Sequence, residues 1–289
     1  MNGARRLAGR QEAGNRRDVL PQSGAGAQLC HFVFAASRRA RRTRYVPWHP
    51  LNQRGEEPMK IGIIGAGNIG GTLARRLRTL GHQVKVANSR GPDTLRALAA
   101  ETGATAVTVE DAVRDVDLIV VTIPEAKIAK LPAGLFANVP KHVPVVDTGN
   151  YYPRQRDGRI EGIEAGLTES RWVEQQIGHP VTKAFNNIFS RSLAERGKPK
   201  GTPGRIALPV AGDDAAAKAI VLKLVDDLGF DPIDAGGLDE SWRQQPHSPV
   251  YTKDHDAEAV RRGLAEAKRE RLPELSGTAN SPGSFASPA

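Results

Sequence analysis

Cysteine is almost absent: the chain of 289 residues has one, Cys30. Everything after it is therefore without disulfides, thiolate nucleophiles or Cys-ligated zinc and iron–sulfur centres, and a reducing, cytoplasmic setting fits. Aromatic residues make up only 5%. No apolar run approaches the roughly 20 residues a membrane helix needs. The longest one after residue 58, Leu118 to Pro124, has the length of a strand. No H-E-x-x-H occurs, and no histidine has a second ligand at metal spacing, so no metal site is expected. Lysine is missing from residues 1–58, which instead carry eleven Arg against Glu12, Asp18, Glu56 and Glu57. That stretch holds +7 of the formal charge of +9, leaving +2 for the other 231 residues. The body is thus nearly neutral, and neither nucleic acid nor a membrane surface is expected as its partner.

Residues 1–58 sustain no helical or strand period. They read as a disordered Arg-rich extension, or as sequence upstream of a physiological start at Met59, which stands directly before the first strand pattern. A transit peptide would also be Arg-rich, but serine is sparse here and no amphipathic helix emerges.

From Met59 onward, β-branched runs alternate with Ala/Leu/Arg-rich helical ones. Strands are expected at Lys60–Ile64, Gln83–Ala87, Thr105–Val107, Leu118–Ile123, Val143–Asp147, Val181–Phe185, Arg205–Ala211 and Asp231–Ala235. Helices are expected at Ile69–Leu80, Thr94–Thr102, Ser190–Arg196 and Ala215–Leu228, with a start at Glu110–Val113 and short helices or turns at Lys127–Leu131 and Leu135–Val139. Leu118–Val121 and Val143–Val146 are nearly continuous apolar runs, the pattern of strands buried on both faces. The alternation predicts right-handed βαβ units: an α/β, Rossmann-like, doubly wound and mostly parallel sheet over 59–235. Residues 236–275 are expected to add a small C-terminal helical extension, a cap over the cleft or a homodimer contact. Residues 276–289, rich in Ser, Pro and Gly, read as a disordered tail.

Gly65-Ala66-Gly67-Asn68-Ile69-Gly70 is a G-x-G-x-x-G between a strand and a helix, the context that makes the motif a dinucleotide site. Gly65 suits the tight turn, Gly67 the approach of a pyrophosphate, and Gly70 close helix–strand packing. Amides at the helix start would face the phosphates. The second strand ends in Asn88-Ser89-Arg90, with no carboxylate to hold a free ribose hydroxyl. Ser89 and Arg90 could both contact a 2′-phosphate, which favours NADP(H) over NAD(H). In an open α/β sheet the ligand lies at the carboxyl ends of the strands, which places Thr122, Ile123, Pro124 and Asn150 beside the nicotinamide, with Asn186 and Asn187 toward a substrate. Trp242 and Tyr251 are candidate acceptor-side aromatics, or core. Asp147 could be an acid or base, or could cap a turn. His179, His247 and His255 read as structural or solvated, and Lys183, comparable with the catalytic lysine of some hydroxyacid dehydrogenases, lies inside a strand pattern. No catalytic side chain is therefore assigned, consistent with hydride transfer between stacked rings, which depends on close approach.

Ile63 to Gly70, Asn88-Ser89-Arg90, Val121 to Pro124, Val146 to Asn150, Lys183 to Asn186 and Val210 to Asp214 occur in order, and as a set they resemble the NADPH-dependent reductases of the deazaflavin coenzyme F-420. The resemblance runs from about Met59 to Ala235. It implies a Rossmann-like NADP domain with the acceptor ring stacked on the nicotinamide. It also implies pyrophosphate contact at Ala66 to Ile69, 2′-phosphate contact at Ser89 and Arg90, and a nicotinamide side at Pro124, Asn150 and the segment from Asn186. Two positions depart from the archaeal pattern: Gly91 replaces a second Arg, and Asn186 replaces a His. Ser241 to Tyr251 looks like a bacterial branch, for which flavins, ferric chelates or small carbonyl compounds are open as acceptors beside F-420. The rival expectations are a dehydrogenase of 3-hydroxyisobutyrate or imine-reductase type and a non-catalytic NADP-binding redox sensor. The first would need a larger second domain than the roughly 50 residues after the last strand provide.

Overall fold

The structure, a computed structural model, describes residues 57–278, 280 and 281. The expected Arg-rich extension up to residue 56 and most of the expected disordered tail lie outside the described residues.

Six parallel strands form the main sheet: β1 (Lys60–Ile64), β2 (Gln83–Ala87), β3 (Thr105–Ala106), β4 (Leu118–Val121), β5 (Val145–Asp147) and β6 (Thr182–Lys183), in the order β3-β2-β1-β4-β5-β6. The order reverses between β1 and β4, so the sheet is wound both ways from its centre. Alternate residues feed two apolar layers. Ile61, Ile63, Val86, Leu118 and Val120 belong to one, and Ile64, Ala87, Ile119 and Val121 to the other. This is what double-sided strand burial predicts, and the chain has the α/β Rossmann-like architecture expected.

The helices are α1 (Asn68–Thr79), α2 (Arg96–Thr102), α3 (Val109–Ala112), α4 (Glu125–Ile128), α5 (Glu161–Glu164), α6 (Glu169–Ile177), α7 (Ser190–Glu195), α8 (Ala215–Asp227) and α9 (Ala257–Glu266). α1 buries Leu73, Ala74 and Leu77. Oxygen caps start several others: Thr108 Oγ1 accepts from Asp111 N, Thr168 Oγ1 from Arg171 N, Asp214 Oδ1 from Ala216 and Ala217 N, and Asp256 Oδ1 from Ala259 N. Each such cap satisfies amides that have no intrahelical partner.

Three features differ from the sequence expectation. β7 (Ala207–Val210) and β8 (Asp231–Asp234) form a separate parallel pair, linked to the main sheet by an antiparallel bridge between Lys183 and Ala211. β4 and β6 are shorter than expected: Thr122 N donates to Ile64 O as the chain leaves the sheet, and Phe185 turns it with φ +61°. Residues 151–180, left without elements by the sequence pattern, contain α5, α6 and a tight π-turn at Pro153–Asp157. The C-terminal stretch is helical in part, with a 3-10 turn at Leu238–Gln244 and then α9, whose Val260 and Leu264 pack with Ala207 and Ile233 of the small sheet.

Candidate functional site

The carboxyl tips of β1, β2, β4, β5 and β6 converge where the strand order reverses. At the β1 tip, Gly65 has φ +114° and its N donates to Ala87 O at 2.8 Å. A Cβ there would lie 2.3 Å from Thr122 O, and one on Gly70 would lie 2.1 Å from Gly65 O. Only hydrogen fits at either place, so α1 starts pressed against the strand turn. A Cβ on Gly67 would meet nothing within 4 Å. The middle glycine therefore faces open space, flanked by exposed Asn68 and half-buried Ala66 and Ile69. α1 begins there with no side-chain cap and no acid in its first turn. Its leading amides and the positive end of its dipole are left for an anion.

At the β2 tip, Asn88 Oδ1 accepts from Arg90 N at 2.9 Å, and Asn88 Nδ2 donates to Thr94 Oγ1 at 2.9 Å. This turn presents Ser89 and Arg90 exposed. The nearest acid in sequence, Asp93, is taken by Arg96 at 2.6 Å. Asn88 and Thr94 are thus the supports of the tip, which sequence reading did not single out.

At the tips of β4, β5 and β6, Thr122, Ile123, Pro124 and Asn150 are half-buried. Asn150 and Asn186 are tied to each other: Asn150 Nδ2 donates to Asn186 O at 2.9 Å, and Asn186 Nδ2 to Asn150 Oδ1 at 3.1 Å and Gln244 O at 2.7 Å. Asn187 is buried and clamps the 250–252 loop, donating to Val250 O while its own carbonyl accepts from Thr252 N. Phe185, between these groups and β6, is a buried non-glycine with positive φ, a strained backbone of the kind that gathers at functional sites. Tyr251 is half-buried with its hydroxyl against that of Tyr152, and Trp242 is half-buried beneath Arg243, whose guanidinium lies 4.4 Å from the ring centre. His179 is buried, its ring nitrogens within reach of Pro180 O and Pro140 O, as a structural histidine should be.

Sequence reading weighed Asp147 and Lys183 singly and assigned no acid–base machinery, but tertiary structure assembles a buried set of such groups behind these tips. Lys183, wholly buried, donates to Gly149 O at 2.7 Å and lies 3.3 Å from Asp147 Oδ2 and 3.6 Å from Glu169 Oε2. Asp147 also accepts from Gly149 N at 2.8 Å and Ser170 Oγ at 2.6 Å, so it both caps a turn and holds the ammonium. Glu125, wholly buried, has no hydrogen-bond partner for either oxygen. Its Oε1 would lie 2.4 Å from a Cβ at Gly149, so that glycine makes room for it. Burial, followed by the nearby Asp147 charge, holds the Glu125 carboxyl well above the ordinary range. Burial raises Glu169 to about 7, against the pull of Lys183 and Arg271. For Lys183 burial opposes the charge, but Asp147, Glu169 and Glu125 outweigh it and the value is raised. The sequence signals were Lys183 inside a strand pattern and Asp147 at a strand end; Glu125, at the start of α4, was not singled out.

Among the described residues no group of His, Cys, Asp and Glu could hold a metal, and no helix is long and apolar enough to cross a membrane. The doubly wound sheet with an open glycine turn at its reversal point is the architecture of a dinucleotide-binding domain. Residues 60–151 match the family model described as NADP oxidoreductase, coenzyme F-420-dependent, about a third of the chain. The protein YjhV of Escherichia coli K12 is 47% identical over 81 residues, covering 27% of this chain. The match spans 59% of that relative's length. Protein SMa0349 of Sinorhizobium meliloti superposes with a TM-score of 0.58 at 28% identity, over 68% of this chain and 95% of that one. A protein of Arthrobacter sp. FB24, described as a candidate F-420-dependent NADP reductase, superposes with a TM-score of 0.52 at 26% identity, over 62% and 85%.

Proposed function

We propose that the chain is an NADP(H)-dependent reductase that passes a hydride between the nicotinamide and an acceptor stacked on it, with coenzyme F-420, a flavin-like compound or a ferric chelate as the acceptor class. One observation carries this reading: an uncapped helix start with an open glycine lies beside a strand tip that offers a free hydroxyl and guanidinium and no free carboxylate. The residues fit the cofactor. Ala66 to Ile69 would take the pyrophosphate on backbone amides, and Ser89 and Arg90 the 2′-phosphate. Thr122, Ile123, Pro124 and Asn150 would line the nicotinamide side, and Asn186 and Asn187 would hold the acceptor-side loop in place. When bound, the nicotinamide supplies the hydride. The chain's part is to fix the ring against its acceptor and keep water away.

The test is cofactor selectivity followed by turnover. Arg90→Ala and Ser89→Ala should each weaken NADPH binding by roughly 1.5–3 kcal/mol, about tenfold to a hundredfold, and leave NADH nearly unchanged. Equal losses for both cofactors would remove the NADP assignment. NADPH oxidation is then followed against coenzyme F-420, free flavins, ferric chelates and small carbonyl compounds. Tight NADPH binding without turnover on any of them would favour a redox sensor instead.

A further inference from the structure

A cavity lies apart from the glycine turn. It encloses 430 Å³ between α5, the start of α6, the Trp242–Pro249 loop and the strap of residues 266–275. None of Gly65 to Gly70, Ser89 or Arg90 lines it. Its volume is that of a small-ligand site. Trp242, Ile163 and Leu272 supply apolar wall, and Tyr151 carries the Arg271 guanidinium 4.9 Å from its ring centre.

Four residues of its wall carry buried polar atoms with no hydrogen-bond partner: Glu169 Oε2, Gln245 Nε2, Ser248 Oγ and Arg271 Nη1. They come from α6, the loop and the strap, and Glu169 is 1% exposed. Orphaned buried polar atoms are rare and call for an explanation. Glu169 Oε2 lies 3.6 Å from the Lys183 ammonium, and the other three around one cavity share a simple explanation, a polar ligand. Two of the four are nitrogen donors and a third is a hydroxyl, so what is missing is oxygen acceptors. Charge points the same way. At the rim, exposed Glu266 and Glu270 offset exposed Lys268 and Arg269. Further in, Glu164 is already engaged, accepting from Tyr151 Oη and Gly277 N. Arg271 reaches Glu164 and Glu169 only at 3.7 and 3.8 Å, outside hydrogen-bond distance.

We infer that this cavity binds a small organic carboxylate, whose oxygens are taken by Arg271, Gln245 and Ser248 and whose apolar body lies against Trp242. Glu169 governs occupancy. It faces Lys183 of β6, Asp147 of β5, Glu125 of α4, Arg271 of the strap, the Tyr151 backbone amide, and the Tyr152 and Tyr251 hydroxyl groups. As an anion it competes for Arg271 and repels the ligand; as a neutral acid it releases Arg271. Binding is therefore coupled to proton uptake.

Titration calorimetry on the full chain, with benzoate and its neutral counterpart benzamide, tests this. At about pH 6 benzoate should bind at least about tenfold more tightly than benzamide, and its affinity should fall toward tenfold per pH unit above about 7. Arg271→Gln should make the two probes equal, with NADPH binding retained as a control for folding. Glu169→Gln should keep benzoate binding at about pH 8. Equal affinity of the two probes for the unaltered protein would overturn the inference. So would an unchanged pH dependence in Glu169→Gln, or no benzoate binding by protein that binds NADPH. If benzoate binds as described and NADPH does not, the carboxylate site stands and the cofactor reading falls.

Discussion

Replacing Lys183 by Met tests whether the buried charges behind the strand tips form one electrostatic unit. The ammonium is wholly buried, 2.7 Å from Gly149 O, 3.3 Å from Asp147 and 3.6 Å from Glu169. Methionine keeps much of the volume but leaves two carboxyl groups without their cation. Removing one partner of such a set costs about 3–5 kcal/mol, a large part of the roughly 5–15 kcal/mol a domain has. The pH dependence follows from Glu169, which stands at about 7 in the fold and in the ordinary carboxylate range when unfolded. A raised acid costs stability as pH climbs through that interval, and the cost saturates above the folded value. Losing Lys183 removes a charge that lowers the folded value, so the interval widens. The deficit of Lys183→Met should thus be larger at about pH 8 than at about pH 5, and adding Asp147→Asn should recover about 1–3 kcal/mol. Urea denaturation followed by tryptophan fluorescence measures both. A deficit below about 1 kcal/mol, or one that grows on acidification, would show that the lysine is not held by these carboxyl groups.

The two glycines of the first turn should separate binding from stability. Gly67→Ala, whose new methyl group enters open space, should shift stability by less than about 0.5 kcal/mol while weakening NADPH binding. Gly70→Ala, whose Cβ would meet Gly65 O at 2.1 Å, should also destabilise by about 1–3 kcal/mol in thermal unfolding. Equal unfolding temperatures for the two variants would contradict the packing described. Glu125→Met should stabilise the fold by about 1–3 kcal/mol at about pH 8, because it replaces a partnerless buried carboxyl with a thioether of similar size. The gain should shrink toward pH about 4, where the carboxyl is protonated in both states; a constant gain would mean that the group is not held neutral by burial.

The sequence alone determined the local and periodic features. Nearly continuous apolar runs marked β4 and β5 because strands buried on both faces admit no alternation. The Gly65, Gly67 and Gly70 spacing carried its geometric meaning because each glycine answers a constraint between residues near in sequence, or between a strand and the helix it enters. The carboxylate-free tip at Ser89-Arg90 was equally legible. Tertiary structure decided what depends on residues distant in sequence. Glu125, Asp147, Glu169 and Lys183 come from four elements, and no spacing along the chain announces that they share one buried cluster. Asn150 and Asn186 became mutual partners because β5 and β6 pair, and Gly149 became obligatory because Glu125 folds beneath it. The split of β7 and β8 from the main sheet was hidden too, since strand order is set by packing rather than by the pattern within each strand. The cavity beside Trp242 exists only because the strap of residues 266–275 returns across α5 and α6. Contact between segments a hundred residues apart is a property of the folded chain, and periodicity does not encode it.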